Sequence, residues 1–246
     1  MEDSEFEGCS AAEQGGGIDA DSANILIYNA TFSGNSAKRG GGIGASESNV
    51  NVQESKFKSS YINGNFKTCQ SSSSGGGLYT RQSNLTVEKS KFHECSSPDG
   101  DGGAVGISES EFVANSNTFG SCTAAQGGGI FVSKSSLLTA ENCHFADSSA
   151  SKRGGAIYVT TSTVAAETCH FADSTASTYG GAIYVTSGFI SVVDSTATGN
   201  QASTEADFMF MVTPSEATII SSDIDQSDDS VASSAVEVNT ITSGSG

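Results

Sequence analysis

The chain has 246 residues, with 11 Lys plus Arg against 28 Asp plus Glu, a formal charge of −17, 29 Gly, 2 Pro and no Trp. That balance excludes nucleic acid as a partner, because binding to a phosphate backbone relies on clustered Lys and Arg. No segment nears the ~18 apolar residues needed to span a bilayer, which excludes direct membrane insertion, and a hydrophobic content of 36% in strict register separates the chain from disordered Ser/Gly-rich sequences.

The opening Met1-Glu2-Asp3-Ser4-Glu5 is acidic and polar, so no signal peptide is visible. Phe6 and Cys9 already belong to a repeat, and the start therefore reads as a fragment or a processed end. The first complete landmark is Gly15-Gly16-Gly17-Ile18. Gly-Gly-(Gly/Ala)-aliphatic tetrapeptides then recur, ending at Ile43, Leu78, Val105, Ile130, Ile157 and Ile183, with spacings of 25, 35, 27, 25, 27 and 26. A fixed period in the twenties means one supersecondary unit stacked on copies of itself. Tight stacked corners explain the glycines, which adopt φ > 0 and leave room where a Cβ would not fit.

Within each unit, apolar residues follow at i and i+2: Ile25 and Ile27, Val50 and Val52, Leu85 and Val87, Phe112 and Ala114, Leu138 and Ala140, Val164 and Ala166. This is the pattern of a short strand with one buried face. Phenylalanine comes 14 or 15 residues after each aliphatic, at Phe32, Phe57, Phe92, Phe119, Phe145 and Phe171. Three residues further on stands a corner residue: Cys9, Asn35, Ser60, Cys95, Cys122, Ser148 or Ser174. The glycine motif opens a strand of its own, in which Ile157 and Val159 point inward and Tyr158 outward. Three short strands per ~26-residue period, each aligned with its copy, coil into a right-handed parallel β-helix with coils ~4.8 Å apart.

The long spacing of 35 reflects an insertion over residues 61–74 that protrudes as a loop or a partial extra turn. Beyond residue 200 the pattern decays. Ala197 replaces Phe, Asn200 keeps the corner, and Phe210 and Val212 suit the next glycine-strand position without a Gly-Gly before them. The expected architecture is a single all-β domain over 1–242, with regular repeats over 6–200 and degenerate coils over 201–242. It has about nine coils and is roughly 40–45 Å long. Residues 243–246 have flexible-tail composition.

The pairing of Gly154-Gly155-Ala156-Ile157 and Gly180-Gly181-Ala182-Ile183 with Phe32-Ser33-Gly34-Asn35 resembles the repeats of the chlamydial polymorphic outer-membrane proteins over about residues 6–200. The resemblance implies a pectin-lyase-like β-helix displayed at a cell surface as an adhesin. Only one strict Phe-x-x-Asn is present, and no β-barrel translocator follows the repeat.

Cys143 and Cys169 lie 26 residues apart, each two before Phe, and Cys69, Cys95 and Cys122 fall at the corner position in successive turns. One coil separation brings stacked Cα atoms within disulfide range. A Cys143–Cys169 bridge and, second, a Cys95–Cys122 bridge are therefore expected, with a ladder of buried thiols as the alternative. Asn29 and Asn84 open Asn-x-Thr sequons that would accept glycans on a eukaryotic secretory route. Glu88, Glu141 and Glu167 share one position and Asp147 and Asp173 another. Such stacks form an acidic stripe to which Ca²⁺ is a conceivable visitor, and no cofactor is otherwise indicated. His144 and His170 stack outward in adjacent coils.

β-Helices include polysaccharide lyases and glycoside hydrolases, whose chemistry needs carboxylates, or carboxylates with a base, converging on one cleft. Here the acids repeat instead of converging, and the basic residues are scattered. The expected function is therefore that of a non-enzymatic extracellular or cell-surface rod, an adhesin or a structural component of a larger assembly. Its partner would be a protein or glycan at a cell surface, or neighbouring subunits. The alternative is a carbohydrate-active enzyme, with non-repeated acidic and basic residues in a groove near the insertion.

Overall fold

The structure, a computed structural model, describes residues 1–62, 65–212, 215–220, 222–224, 231–233 and 238–241; the side chains of 60–66 and 231–241 lie outside it. The expected flexible tail, residues 243–246, falls outside the described residues. The chain winds into a coil of parallel strands with eight turns, and three of its four sheets carry nine strands each. Register is strict. The middle sheet aligns Ile25, Val50, Leu85, Phe112, Leu138, Val164 and Ile190, and the glycine sheet aligns Ile18, Ile43, Leu78, Val105, Ile130, Ile157 and Ile183. Like side chains therefore fill one continuous apolar spine.

The phenylalanines carry the regularity furthest. From Phe6 to Phe171 the rings stack at centroid distances of 4.5–5.1 Å and within 14° of parallel. Phe32, Phe57, Phe92, Phe119, Phe145 and Phe171 are all fully buried. The glycine motif makes room for them. A Cβ on Gly77 would lie 2.9 Å from the Phe92 ring, and one on Gly128 only 2.3 Å from the Gly155 carbonyl oxygen.

Four features correct the sequence reading. First, each coil holds four strands, because a seven-stranded sheet (Ser36–Arg39, Gln70–Ser74, Ser96–Asp101 and their successors) runs between the Phe strand and the glycines. Its residues are mostly polar and small, so no hydrophobic alternation announces it, and backbone pairing holds it. Second, the insertion is neither loop nor extra turn. It is an antiparallel hairpin of Ser60–Ile62 and Asn65–Lys67, and the coil resumes with Gln70 opposite Ser36. Cys69, not Ser60, thus takes the corner.

Third, Met209 and Met211 continue the inward column above Ile183 and Val185, while Phe210 points outward onto Tyr184. The spacing from Ile183 to Met209 is 26 residues, as in the coil before, so the period is kept without its glycines and the expected Phe210 and Val212 placement lies one residue too far along. Fourth, the outward aromatics of the glycine sheet are not solvated. Phe131, Tyr158, Tyr184 and Phe210 stack at 5.1–5.6 Å as a second apolar ladder outside the coil. The Arg153 guanidinium lies 5.1 Å above the Tyr184 ring.

Ala197 does stand at the phenylalanine position, in register with Phe171. Phe208 reaches into the space left there and meets Phe171 edge-on at 5.9 Å. A large residue has moved to the place where other coils keep Gly or Ala.

Candidate functional site

The corners organise the surface. Residues just before each corner adopt left-handed φ near +50°, whatever their type: Asn29, Glu54, Lys89, Ser116, Asn142, Thr168 and Asp194 precede the Phe strands. The residue after each one turns inward and closes a hydrogen-bond ladder. The Ser55 hydroxyl accepts from the Ala30 N–H at 3.1 Å and donates to the Gln53 carbonyl at 2.8 Å. Ser90 and Asn117 repeat this one and two coils on. A parallel Ser48–Ser83–Ser110–Ser136–Ser162 column does the same before the middle sheet. These ladders satisfy buried backbone groups that would otherwise cost about 1–3 kcal/mol each. The recurring Ser after each glycine strand was the available sequence signal for them.

Asn35 and Asn200 play this part at the corner after the Phe strand. The Asn35 side chain accepts from the Cys9 N–H at 2.8 Å and donates to the Phe6 carbonyl at 2.9 Å. Asn200 accepts from the Ser174 N–H and donates to the Phe171 carbonyl.

The cysteines belong to the same ladders, and the expected Cys143–Cys169 and Cys95–Cys122 bridges are not formed; all six thiols are free. Parallel in-register stacking repeats the Cβ positions at the ~4.8 Å strand spacing, longer than the ~3.8 Å mean of a disulfide. Thiols of the bridge candidates instead donate to carbonyls, Cys143 to Glu141 at 3.3 Å and Cys122 to Gly120 at 3.3 Å. Burial pushes the Cys95 thiol up, with its Cys122 and Cys69 neighbours adding to the shift. The sulfur contact with Cys143, and then burial, raise Cys169.

The other singled-out residues are spread along the rod. His144 and His170 stack at 4.9 Å, and burial followed by the His170 charge holds His144 below its ordinary value. Glu141 and Glu167 are neighbours in register, but Asn115 separates them from Glu88. Among the described residues, no three His, Cys, Asp or Glu side chains gather as a metal site. Burial raises the Asp101 carboxyl, opposed by the Gln126 amide that donates to it at 3.0 Å. Asn29 and Asn84 are both exposed. Asn29 donates to Asp3, and Asn84 donates to Asn49 at the end of an asparagine ladder. No described helix is long and apolar enough to cross a membrane.

Beside the hairpin runs a groove of about 390 Å³, lined by Gly8, Ser10, Gly34, Ser36, Lys67, Thr68 and Gln70. Lys67 is the one charged residue of that lining. Among its described lining residues no carboxylate accompanies Lys67.

A family model described as a right-handed β-helix region matches residues 59–202, more than half of the chain. The chain belongs to the right-handed β-helix family. That match, together with the parallel four-sheet coil, fixes the architecture of this β-helix and the hand of its winding. No curated protein and no solved structure is measurably similar to it.

Proposed function

We propose that this β-helix is a non-enzymatic rod that works outside the cell or at its surface, as an adhesin or as a structural component of a larger assembly. One observation carries the reading: residues capable of chemistry lie over their own kind, His144 on His170, Glu141 on Glu167 and Tyr158 on Tyr184. Hydrolysis or elimination needs unlike groups aimed at one bond, such as two carboxylates at a set separation. A lateral surface built from repeated columns suits repeated weak contacts with an extended partner instead. The resemblance of the Gly-Gly-Ala-Ile and Phe-x-x-Asn pairs to the chlamydial surface repeats favours the adhesin form. Fold alone supplies no function, and the same coil carries polysaccharide-cleaving enzymes elsewhere.

The test is to incubate the chain with a panel of neutral and acidic polysaccharides and with intact cells, measuring bound protein and released chain ends together. Retention without new chain ends is expected. Turnover of any polysaccharide that scales with protein concentration would replace the rod by an enzyme.

A further inference from the structure

The outward face of the phenylalanine sheet departs from the acidity of the rest of the molecule. On its seven strands from Thr31–Ser33 to Thr196–Thr198, the outward positions hold Lys56, Lys58, Lys91 and all three histidines of the chain, and no carboxylate. The first and last strands of the sheet return to that acidity, with Glu5 and Glu7 in register with Thr31 and Ser33, and Asp223 in register with Thr196. Lys56 is in register with Lys91, and Lys58 with His93. The four groups thus form a tile with edges of about 5 Å along the coil axis and about 7 Å along the strand.

Like charges directly opposite each other in a sheet are destabilising, and the fold does not offset them here. None of the ion pairs among the described residues involves Lys56, Lys58 or Lys91. Of the nearby carboxylates, Glu94 touches the tile, 3.7 Å from His93 Nε2, and Glu54 and Glu88 are engaged away from it. Glu54 accepts from the Tyr28 hydroxyl, Glu88 holds Lys89, and Glu94 contacts Ser59 and His93. All four members of the tile are exposed.

We infer that this face is a docking surface for an acidic polysaccharide, a polyhydroxylated chain carrying sulfate or carboxylate groups. The inference rests on the binding-rod reading and names its partner class. Charge complementarity selects an anion, and the acidic balance of the chain as a whole, −17, disfavours the same polymer away from the tile. A protein partner would be expected to anchor large apolar side chains. The exposed ones on the described strands (Leu26, Val113, Leu137 and Phe189) all lie on the middle sheet, around a corner from this face. Beside the tile the outward positions are small or hydroxylated; Thr31 and Thr118 are partly exposed, whereas Ser33 and Gly120 are buried. Such a surface hydrogen-bonds sugar hydroxyls while ammonium groups meet the anions. A nucleic acid would need a longer basic track and base-stacking platforms.

The experiment measures binding of the full chain to immobilised heparin, hyaluronan and poly-glutamate at low salt. It compares the wild type with the triple variant Lys56→Gln/Lys58→Gln/Lys91→Gln and with the equal-charge control Lys38→Gln/Lys134→Gln/Lys152→Gln. The face triple is expected to lose about tenfold or more in affinity for at least one of the two polysaccharides, and the control to stay within about twofold. Heparin alone retained identifies sulfate as the recognised group; both polysaccharides retained identifies anionic charge on a sugar chain. Equal losses in the two triples, no polysaccharide binding by the wild type, or tighter binding of poly-glutamate would each overturn the inference. If the face triple melts early, the single variant Lys58→Gln, expected to lose about threefold, reads the same surface. Cell binding unaffected by the face triple would sink this inference and leave the rod reading standing; polysaccharide turnover would sink the rod reading itself.

Discussion

At the scale of single residues, hydrogen-bond ladders receive the buried serines and asparagines of the corners, and Thr80 stands outside them. Thr80 is fully buried in the inward column between Ala45 and Ile107, and its hydroxyl has no hydrogen-bond partner. Thr80→Val keeps the shape and removes the stranded hydroxyl, so it is expected to stabilise the fold by about 1 kcal/mol. A urea titration that shows a lower midpoint for the variant would contradict this. His144 behaves in the opposite sense. Its imidazole is held below 6.5 by burial and by His170, so the unfolded chain takes up that proton first. Stability is complete above about pH 6.5 and declines as pH falls through that value toward the lower folded one. Replacing His144 by threonine, the residue at the same place in Thr118 and Thr196, is expected to flatten melting temperature against pH between 6.5 and 5. An unchanged slope would assign the decline to other groups.

At the scale of elements, the glycine motif divides its labour by position. The second glycine faces backbone, and Gly128→Ala would press a methyl against the Gly155 oxygen and the Ser149 backbone. A loss of at least about 3 kcal/mol is expected. The third position holds alanine at Ala104, Ala156 and Ala182, so Gly129→Ala, whose methyl would meet the Ala156 oxygen at 2.8 Å, is expected to cost clearly less than Gly128→Ala. Equal melting temperatures for the two variants would refute the division. The Ala197 and Phe208 exchange offers a second test. Ala197→Phe alone overpacks the space at about 1–3 kcal/mol, and Phe208→Ala alone empties it at about 3–5 kcal/mol. The double variant restores the regular ladder and is expected to cost clearly less than the sum. Strict additivity would show that the two side chains do not share that space.

The same elements show what could be read without a structure. The aliphatic, phenylalanine and Asn/Cys/Ser columns were legible because each repeats one residue class at one offset, and the structure places them in register. The fourth strand was not, since Ser-Ala-Lys-Arg and Ser-Ser-Pro-Asp-Gly-Asp share no apolar pattern and pair through backbone and polar side chains, as Ser71 does with Ser97. Nor were the left-handed corners, because Asn29, Glu54, Lys89 and Ser116 have only φ in common. The cysteine columns were legible as columns, but Cα proximity misled on chemistry: parallel Cβ vectors keep stacked sulfurs at hydrogen-bond range instead of bonding them. The face holding Lys56, Lys58, Lys91 and the histidines was hidden by treating the basic residues as scattered along the chain. Only the register gathers them.

At the scale of the whole molecule, every inference about surfaces depends on coils laid one over the next without slip, from the acidic first turn to the last. Spin labels on the outward column of the phenylalanine sheet measure this directly, because Thr31, His144 and Thr196 stand four and six strands apart in one file. Pulsed electron-spin distances are expected at about 19 Å for the Thr31/His144 pair and about 29 Å for Thr31/Thr196, in proportion to the strand count. A Thr31/Thr196 distance no longer than that of Thr31/His144 would contradict the stacked coil.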